Sequence, residues 1–265
     1  MTLILKSYPK LYAFPSIISA DFLKQFIPAL VAELKKKGVY EDSIFHISDE
    51  PHDYCLEAYK YAHDLLRPML SDAKFMDALS DYTFFEQVDI PATYTAAMDD
   101  FIGKDVKEQW VYYAEDRSGI SIRLMAAPPY RNRSLGIQLY KYDIKGFLHW
   151  GFNFYNTSLS FHKINPYLTT SAGKTMASGG NFSVYPGADG ALLSPRALVF
   201  YEGLQDLAAC RLLEKYVGRE EAIRIIEEEA GMEITFTSYP QNSDFLPKLR
   251  LRIAKEIAKA TARQN

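Results

Sequence analysis

The amino-acid sequence predicts an α/β fold followed by a helical C-terminal extension. Three observations carry that expectation. Short, wholly apolar runs recur between residues 44 and 151, each of strand rather than helix length. Stretches with helical spacing lie between them, the alternation of a parallel sheet with helices over its faces. From Ser194 onward the apolar runs stop and only helical patterns remain.

The elements follow in order. A helix is expected over Asp21–Lys36, then a strand at Ile44–Ile47 and a second helix over Asp53–Leu66. Lys74–Leu79 and Phe84–Ile90 read as the next strands, with a helix over Ala92–Phe101. Glu108–Tyr113 and Gly146–Gly151 are the strongest strand candidates, and a helix over Arg131–Tyr140 lies between them. The stretch from Asn156 to Gly190 is long and rich in Gly, Ser, Thr and Pro, as functional loops are. Phe200, Leu204, Leu207, Ala208 and Leu212 begin the helical part. Ala222, Ile225, Ile226 and Ala230 continue it, and Phe245–Ala262 forms a last helix with many Lys and Arg. Glu202 and Asp206 share one helix face, where an arginine such as Arg196 can pair with them.

Composition removes several function classes. The 265 residues are 48% apolar and 24% charged, which suits a folded globular chain and not a disordered one. Thirty basic against thirty-three acidic side chains give a net charge of −3, a poor match to a phosphate backbone, so no nucleic-acid partner is expected. Cys55 and Cys210 are too few for a disulfide framework. The apolar run at Met1–Lys6 is too short for a signal peptide or a membrane span, so a cytoplasmic chain without a membrane partner is expected. Ser171-Ala-Gly-Lys-Thr175 lacks the glycine that a phosphate loop needs at position 168, which is Leu168. The aromatic share is high at 14%, led by 19 Tyr, and Tyr offers both a flat apolar face and a hydroxyl to a ligand.

Two constellations carry chemistry. Phe45-His-Ile-Ser-Asp49-Glu50-Pro-His52 puts adjacent carboxylates where an apolar strand ends, the place where parallel α/β folds hold catalytic groups. Two close carboxylates resist joint ionisation, which favours one as a general acid. The same residues also suit a helix N-cap. His46, Asp49, Glu50 and His52 have ligand chemistry for a metal, although neighbouring residues point apart at a strand end. The second constellation is Gly146-Phe-Leu-His149-Trp150-Gly-Phe-Asn153-Phe-Tyr155. Aromatic faces beside an amide suit the C–H faces and hydroxyls of a sugar, and Trp110, Tyr112 and Tyr113 end another strand with similar chemistry. Aromatic core packing is the alternative for each of these residues.

An ordered set of segments then resembles the catalytic domain of glycoside hydrolase family 123. They are Phe45–Pro51, Glu108–Tyr113, Arg131–Arg133 with Gly136–Tyr142, Lys145–Tyr155, Val184–Gly187 and Glu202–Asp206. The resemblance implies a (β/α)8 TIM-barrel-like fold and a β-N-acetylgalactosaminidase acting on a glycan, with no cofactor and no metal. It implies a retaining, substrate-assisted mechanism, in which Asp49 orients the 2-acetamido group and Glu50 protonates the leaving oxygen. Trp110, Tyr112, Tyr113, Trp150, Asn153 and Tyr185 would line the sugar pocket with His149, and His46 would steady the carboxylates or contact a hydroxyl. Residues 1–193 would be the barrel portion and 194–265 helices packed on it within the same domain. Members of that family often carry a Gly-Asp pair shortly before Tyr-Pro-Gly, whereas the stretch here reads Gly179-Gly-Asn181. Only 43 residues precede Ile44, against about 90 expected from roughly 30 per βα unit, so the first strands are expected to be missing. Such an open edge favours a homo-oligomer or a longer parent chain. Two other readings stay open: a non-catalytic sugar-binding remnant, and a metal-dependent hydrolase using His46, Asp49 and His52.

Overall fold

A parallel sheet organises the first of two compact units in a computed structural model that describes residues 17–114 and 119–262. The first unit runs to Tyr112 and includes Lys145–Phe147; the second holds Tyr113–Ile144 and the chain from Leu148 onward.

β1 (Ile44–Phe45), β2 (Lys74–Leu79), β3 (Ile90–Tyr94), β4 (Trp110–Tyr112) and β5 (Gly146–Leu148) lie side by side in chain order, all within the first unit except Leu148 at the end of β5. Phe45 is in register with Phe75, Ala78 with Ala92, and Tyr94 with Tyr112. Strand order never reverses, and the sheet curls into a half-barrel. Phe75, Leu79, Ala92 and Val111 are fully buried along it, as strands covered on both faces require. α1 (Ile17–Lys36) buries Leu23 and Ile27, continues through Pro28, and ends on Lys35 and Lys36, whose charges suit the helix C-terminus. α2 (Leu56–Leu66) buries Tyr59 and Leu66. At the amino end of β4 the Trp110 indole lies on Gly146, where a Cβ would come within 2.1 Å of the ring; only glycine fits.

The expected strand at Phe84–Ile90 and helix at Ala92–Phe101 are both displaced. Residues Tyr82–Gln87 form a 3₁₀ turn, opened by Asp81, whose carboxylate accepts the Thr83 N–H at 2.8 Å. The strand therefore starts only at Ile90 and runs through Tyr94, and Thr95–Asp100 is 3₁₀ rather than α-helical. A short apolar run has the same pattern in either state, and here the Asp81 cap decides between them.

In the second unit, α3 (Pro129–Lys141), α4 (Pro195–Val217), α5 (Arg219–Ala230) and α6 (Phe245–Ala262) share one core. Ile137, Tyr140, Leu213, Ile225, Leu249 and Ile253 meet there. α3 and α4 cross at Gly136 and Gly203, where a Cβ on Gly136 would sit 1.9 Å from the Gly203 carbonyl oxygen. Beside that crossing, Arg133 of α3 holds Asp206 through Nε and Nη2 at 2.6 and 3.1 Å, Arg250 adds a third bond at 3.1 Å, and Glu202 also pairs with Arg133. The partner of the two acids is thus Arg133, and Arg196 turns elsewhere. Ser194 caps α4 by accepting the Ala197 N–H, and Pro195 fills its first turn. A hairpin of β6 (Val184–Pro186) and β7 (Ala191–Leu193), absent from the sequence reading, closes the long loop. No helix among the described residues is long and apolar enough to cross a membrane.

Candidate active site

The adjacent carboxylates stand just beyond β1, in a segment pinned from below by Asp77. Asp77 lies within β2 and is fully buried. It accepts the Ile47 N–H at 3.0 Å, the Ser48 N–H at 3.4 Å and the Tyr59 hydroxyl at 2.5 Å, and His46 Nδ1 lies 3.2 Å away. One buried carboxylate thus satisfies the backbone that leaves the strand, which is how a turn can be held rigid without further secondary structure. The Tyr59 hydroxyl is correspondingly pushed well above its ordinary pKa, by burial first and by the Asp77 charge second.

Asp49 and Glu50 emerge from this clamp exposed to solvent. Glu50 has φ +45°, the left-handed region that a non-glycine residue enters at a cost of about 1–3 kcal/mol. That turn breaks the alternation which would send neighbouring side chains to opposite sides. Tyr112, the last residue of β4, donates its hydroxyl to Glu50 Oε1 at 2.5 Å. Burial first, then the hydrogen bond to Glu50 and the Glu50 and Asp49 charges, raise the Tyr112 pKa. On a flat sheet β1 and β4 would stand about 14 Å apart at ~4.8 Å per strand. The contact spans them because the sheet curls and the loop after β1 arcs over its carboxyl edge. Neither carboxylate caps a helix: His52 and Cys55 occupy the N-cap positions of the turn and helix that follow.

The other expected residues of this unit take different partners. His46 bonds Asp77 and not the exposed pair. Trp110 donates Nε1–H to Glu108 Oε1 at 3.0 Å, two residues before Tyr112 on the same strand. His52 packs on Tyr54 at 5.6 Å. No three His, Cys, Asp or Glu side chains among the described residues come close enough to hold a metal ion, so the ligand set His46, Asp49 and His52 is not assembled.

In the second unit two of the expected aromatic residues, Tyr113 and Trp150, meet the His149 ring. Burial, with Arg123 and Arg196 nearby, pulls the His149 pKa down to about 3, so the ring is neutral near neutrality. Its Nδ1 accepts the Gly151 N–H at 3.3 Å, which assigns the proton to Nε2. Tyr113 meets the His149 ring edge-on at 5.3 Å, and Trp150 stacks beside it at 6.4 Å with 39% of its surface exposed. Tyr113 accepts Arg123 Nε–H at 2.8 Å; burial, opposed by Arg123, pushes its hydroxyl up to about 12. Tyr185 stands between Phe182 and Tyr167, with ring centroids at 5.0 and 5.1 Å. Asn153 is exposed and pairs through its backbone with Phe182. Asn181 is fully buried and donates its Nδ2–H to the Phe154 carbonyl at 3.0 Å.

The glycoside hydrolase 123 catalytic-domain model matches residues 16–213. The chain belongs to glycoside hydrolase family 123. Membership in family 123 indicates a glycoside hydrolase with a glycan as substrate. Asp49, Glu50, Tyr112, His149, Trp150 and Tyr185 all fall inside the matched range, whereas α5 and α6 lie beyond it. A comparison with curated proteins returns no match. Asp77, Tyr59 and Tyr94, whose ring lies 5.4 Å from that of Tyr112, are the residues that sequence reasoning passed over. A signal existed for Asp77, since it is the one charge inside the otherwise apolar run Phe75–Leu79.

Proposed function

We propose that the family 123 chain removes terminal β-linked N-acetylhexosamine, in the first place N-acetylgalactosamine, with retention and with help from the substrate's own acetamido group. Asp49 accepts the acetamido N–H and turns its oxygen toward the anomeric carbon. As that oxygen forms its bond to the carbon, the glycosidic C–O bond breaks, and Glu50 gives its proton to the departing oxygen. The product of this step is an oxazolinium ion. Water then attacks the anomeric carbon, the Glu50 carboxylate takes the water's proton, and the acetamido group is restored.

The observation that carries the reading is the Tyr112–Glu50 bond. Tyr112 occupies Oε1 and leaves Oε2 to face a leaving group, while Asp49 makes no hydrogen bond among the described residues and stays open to an amide. Adjacent carboxylates suit this chemistry because neither has to reach the far face of the ring. The same reading takes the curled sheet as part of a (β/α)8-type barrel over residues 1–193, with residues 194–265 as helices of one domain with it.

The test is nitrophenol release from the β-N-acetylgalactosaminide, the β-N-acetylglucosaminide and the plain β-galactoside. Turnover confined to the acetamido sugars, falling by about 10²–10⁴-fold in Asp49→Asn, is the expected result. Equal turnover of the plain galactoside would overturn substrate assistance. No turnover of any of them by folded protein would leave a sugar-binding remnant.

A further inference from the structure

His46 directly follows β1, three positions before Asp49, and only one end of its ring is tied down. Its Nδ1 lies 3.2 Å from Asp77 Oδ1. That oxygen also accepts the Ile47 N–H at 3.0 Å and the Ser48 N–H at 3.4 Å, and the other oxygen accepts the Tyr59 hydroxyl. A carboxylate that already receives these donors has no proton to give, so the imidazole is the donor and its proton sits on Nδ1. Nε2 is then left with a lone pair. No group among the described residues bonds Nε2, and 19% of the side chain is open to solvent. His46, Asp77, Tyr59, Asp49, Glu50 and Tyr112 all belong to the first unit.

A histidine whose one nitrogen is held by a carboxylate presents the other in a fixed direction and a fixed protonation state. What such a nitrogen takes is a donor, and sugar hydroxyls are donors. Asp77 is fully buried and cannot meet a ligand itself, yet it grips both the ring and the backbone that carries the two carboxylates outward. We propose that the Asp77–His46 pair reads one hydroxyl of the sugar held by Asp49 and Glu50: the hydroxyl donates to His46 Nε2, and Asp77 is a positioning residue that acts through the ring. A sugar that lacks this hydroxyl leaves Nε2 without its partner and is bound less well. The inference rests on the N-acetylhexosamine reading and adds a specificity-determining contact to it.

Titration calorimetry of the full chain with N-acetylgalactosamine and its 3-, 4- and 6-deoxy analogues tests it. One analogue is expected to bind about tenfold more weakly than the parent sugar, which names the hydroxyl. His46→Asn keeps a donor for Asp77 at the Nδ1 position and has nothing at Nε2. It is expected to bind the parent as weakly as the unaltered chain binds that analogue, and the analogue no more weakly still. Unchanged binding of every sugar by His46→Asn, or an equal loss for all of them, would mean a purely structural ring and would overturn the proposal. Nitrogen-15 NMR at about pH 8 needs no variant: the His46 proton is expected on Nδ1, and the Nε2 resonance is expected to move with the parent sugar and not with the weak analogue. A proton on Nε2, or an Nε2 resonance that ignores the parent sugar, would overturn the proposal even where His46→Asn does not fold. These free sugars bind without being cleaved, so absent nitrophenol release beside the expected binding pattern speaks against the hydrolytic mechanism alone. Nitrophenol release at the unaltered rate in His46→Asn overturns this contact and leaves the hydrolysis standing, and binding of none of the sugars by folded protein overturns both.

Discussion

Replacing Tyr112 with Phe removes one hydroxyl and leaves a buried ring in place beside Tyr94, at a centroid distance of 5.4 Å. The lost bond is a short one to a carboxylate, and such bonds are worth about 1.5–3 kcal/mol. Glu50 is exposed, so water replaces part of that, leaving about 1–2 kcal/mol of lost positioning, or a fall of about 5–30-fold in kcat/KM. Stability should change by less than about 1 kcal/mol, because Glu50, the partner of that hydroxyl, is exposed and water can take its place on the carboxylate. The assay is nitrophenol release from the β-N-acetylgalactosaminide, with urea unfolding as the control for folding. A cycle with Glu50→Gln separates positioning from packing: if Tyr112 acts through Glu50, Tyr112→Phe has no further effect once Glu50 is Gln. Wild-type rates in Tyr112→Phe, or independent losses in the cycle, would refute the reasoning.

Further outcomes follow from the same structure. Glu50→Gln should abolish hydrolysis of substrates with poor leaving groups while unfolding at the wild-type urea midpoint, since an exposed carboxylate contributes little to the fold. Asp77→Ala strips acceptors from the Ile47 and Ser48 N–H groups and the Tyr59 hydroxyl, each costing about 1–3 kcal/mol when unsatisfied, so a loss above about 3 kcal/mol is expected in chemical denaturation. Gly136→Ala forces α3 and α4 apart and should lower stability by about 1–3 kcal/mol or more, read as an earlier thermal midpoint. His149 has a folded pKa of about 3 against an ordinary 6.5, so below 6.5 the unfolded chain binds the extra proton. Its contribution to stability is therefore complete above pH 6.5 and is lost as the pH falls toward 3, by up to about 1.4 kcal/mol per unit. Unfolding curves of His149→Phe should lack that part of the pH slope; an identical slope would refute the buried neutral ring.

How far the sequence alone reached depends on what kind of interaction settles each feature. Strand β2 and helices α3 to α6 were legible because their own apolar spacing matches one secondary-structure period over several turns or a whole strand. The Asp49–Glu50 pair stood out as a candidate because adjacent carboxylates at a strand end form a local pattern, and it lies within the range that the family model matches. Between Phe84 and Phe101 the pattern was ambiguous, and a single capping bond at Asp81 determined where the strand began.

What only the tertiary structure decided is which distant groups meet. Asp77 is 30 residues from Ile47, and Tyr112 is 62 from Glu50; both pairings depend on strand register and on the curl of the sheet, which no local pattern encodes. Arg196 is the sharpest case. Its sequence neighbourhood points to Glu202 and Asp206, yet Arg133 reaches those acids from another helix, and Arg196 is left facing Phe182 and Tyr185. Residue types and their periods determine the elements and the chemistry on offer, whereas partner choice among like charges is settled only when packing brings one arginine within reach and turns the other away.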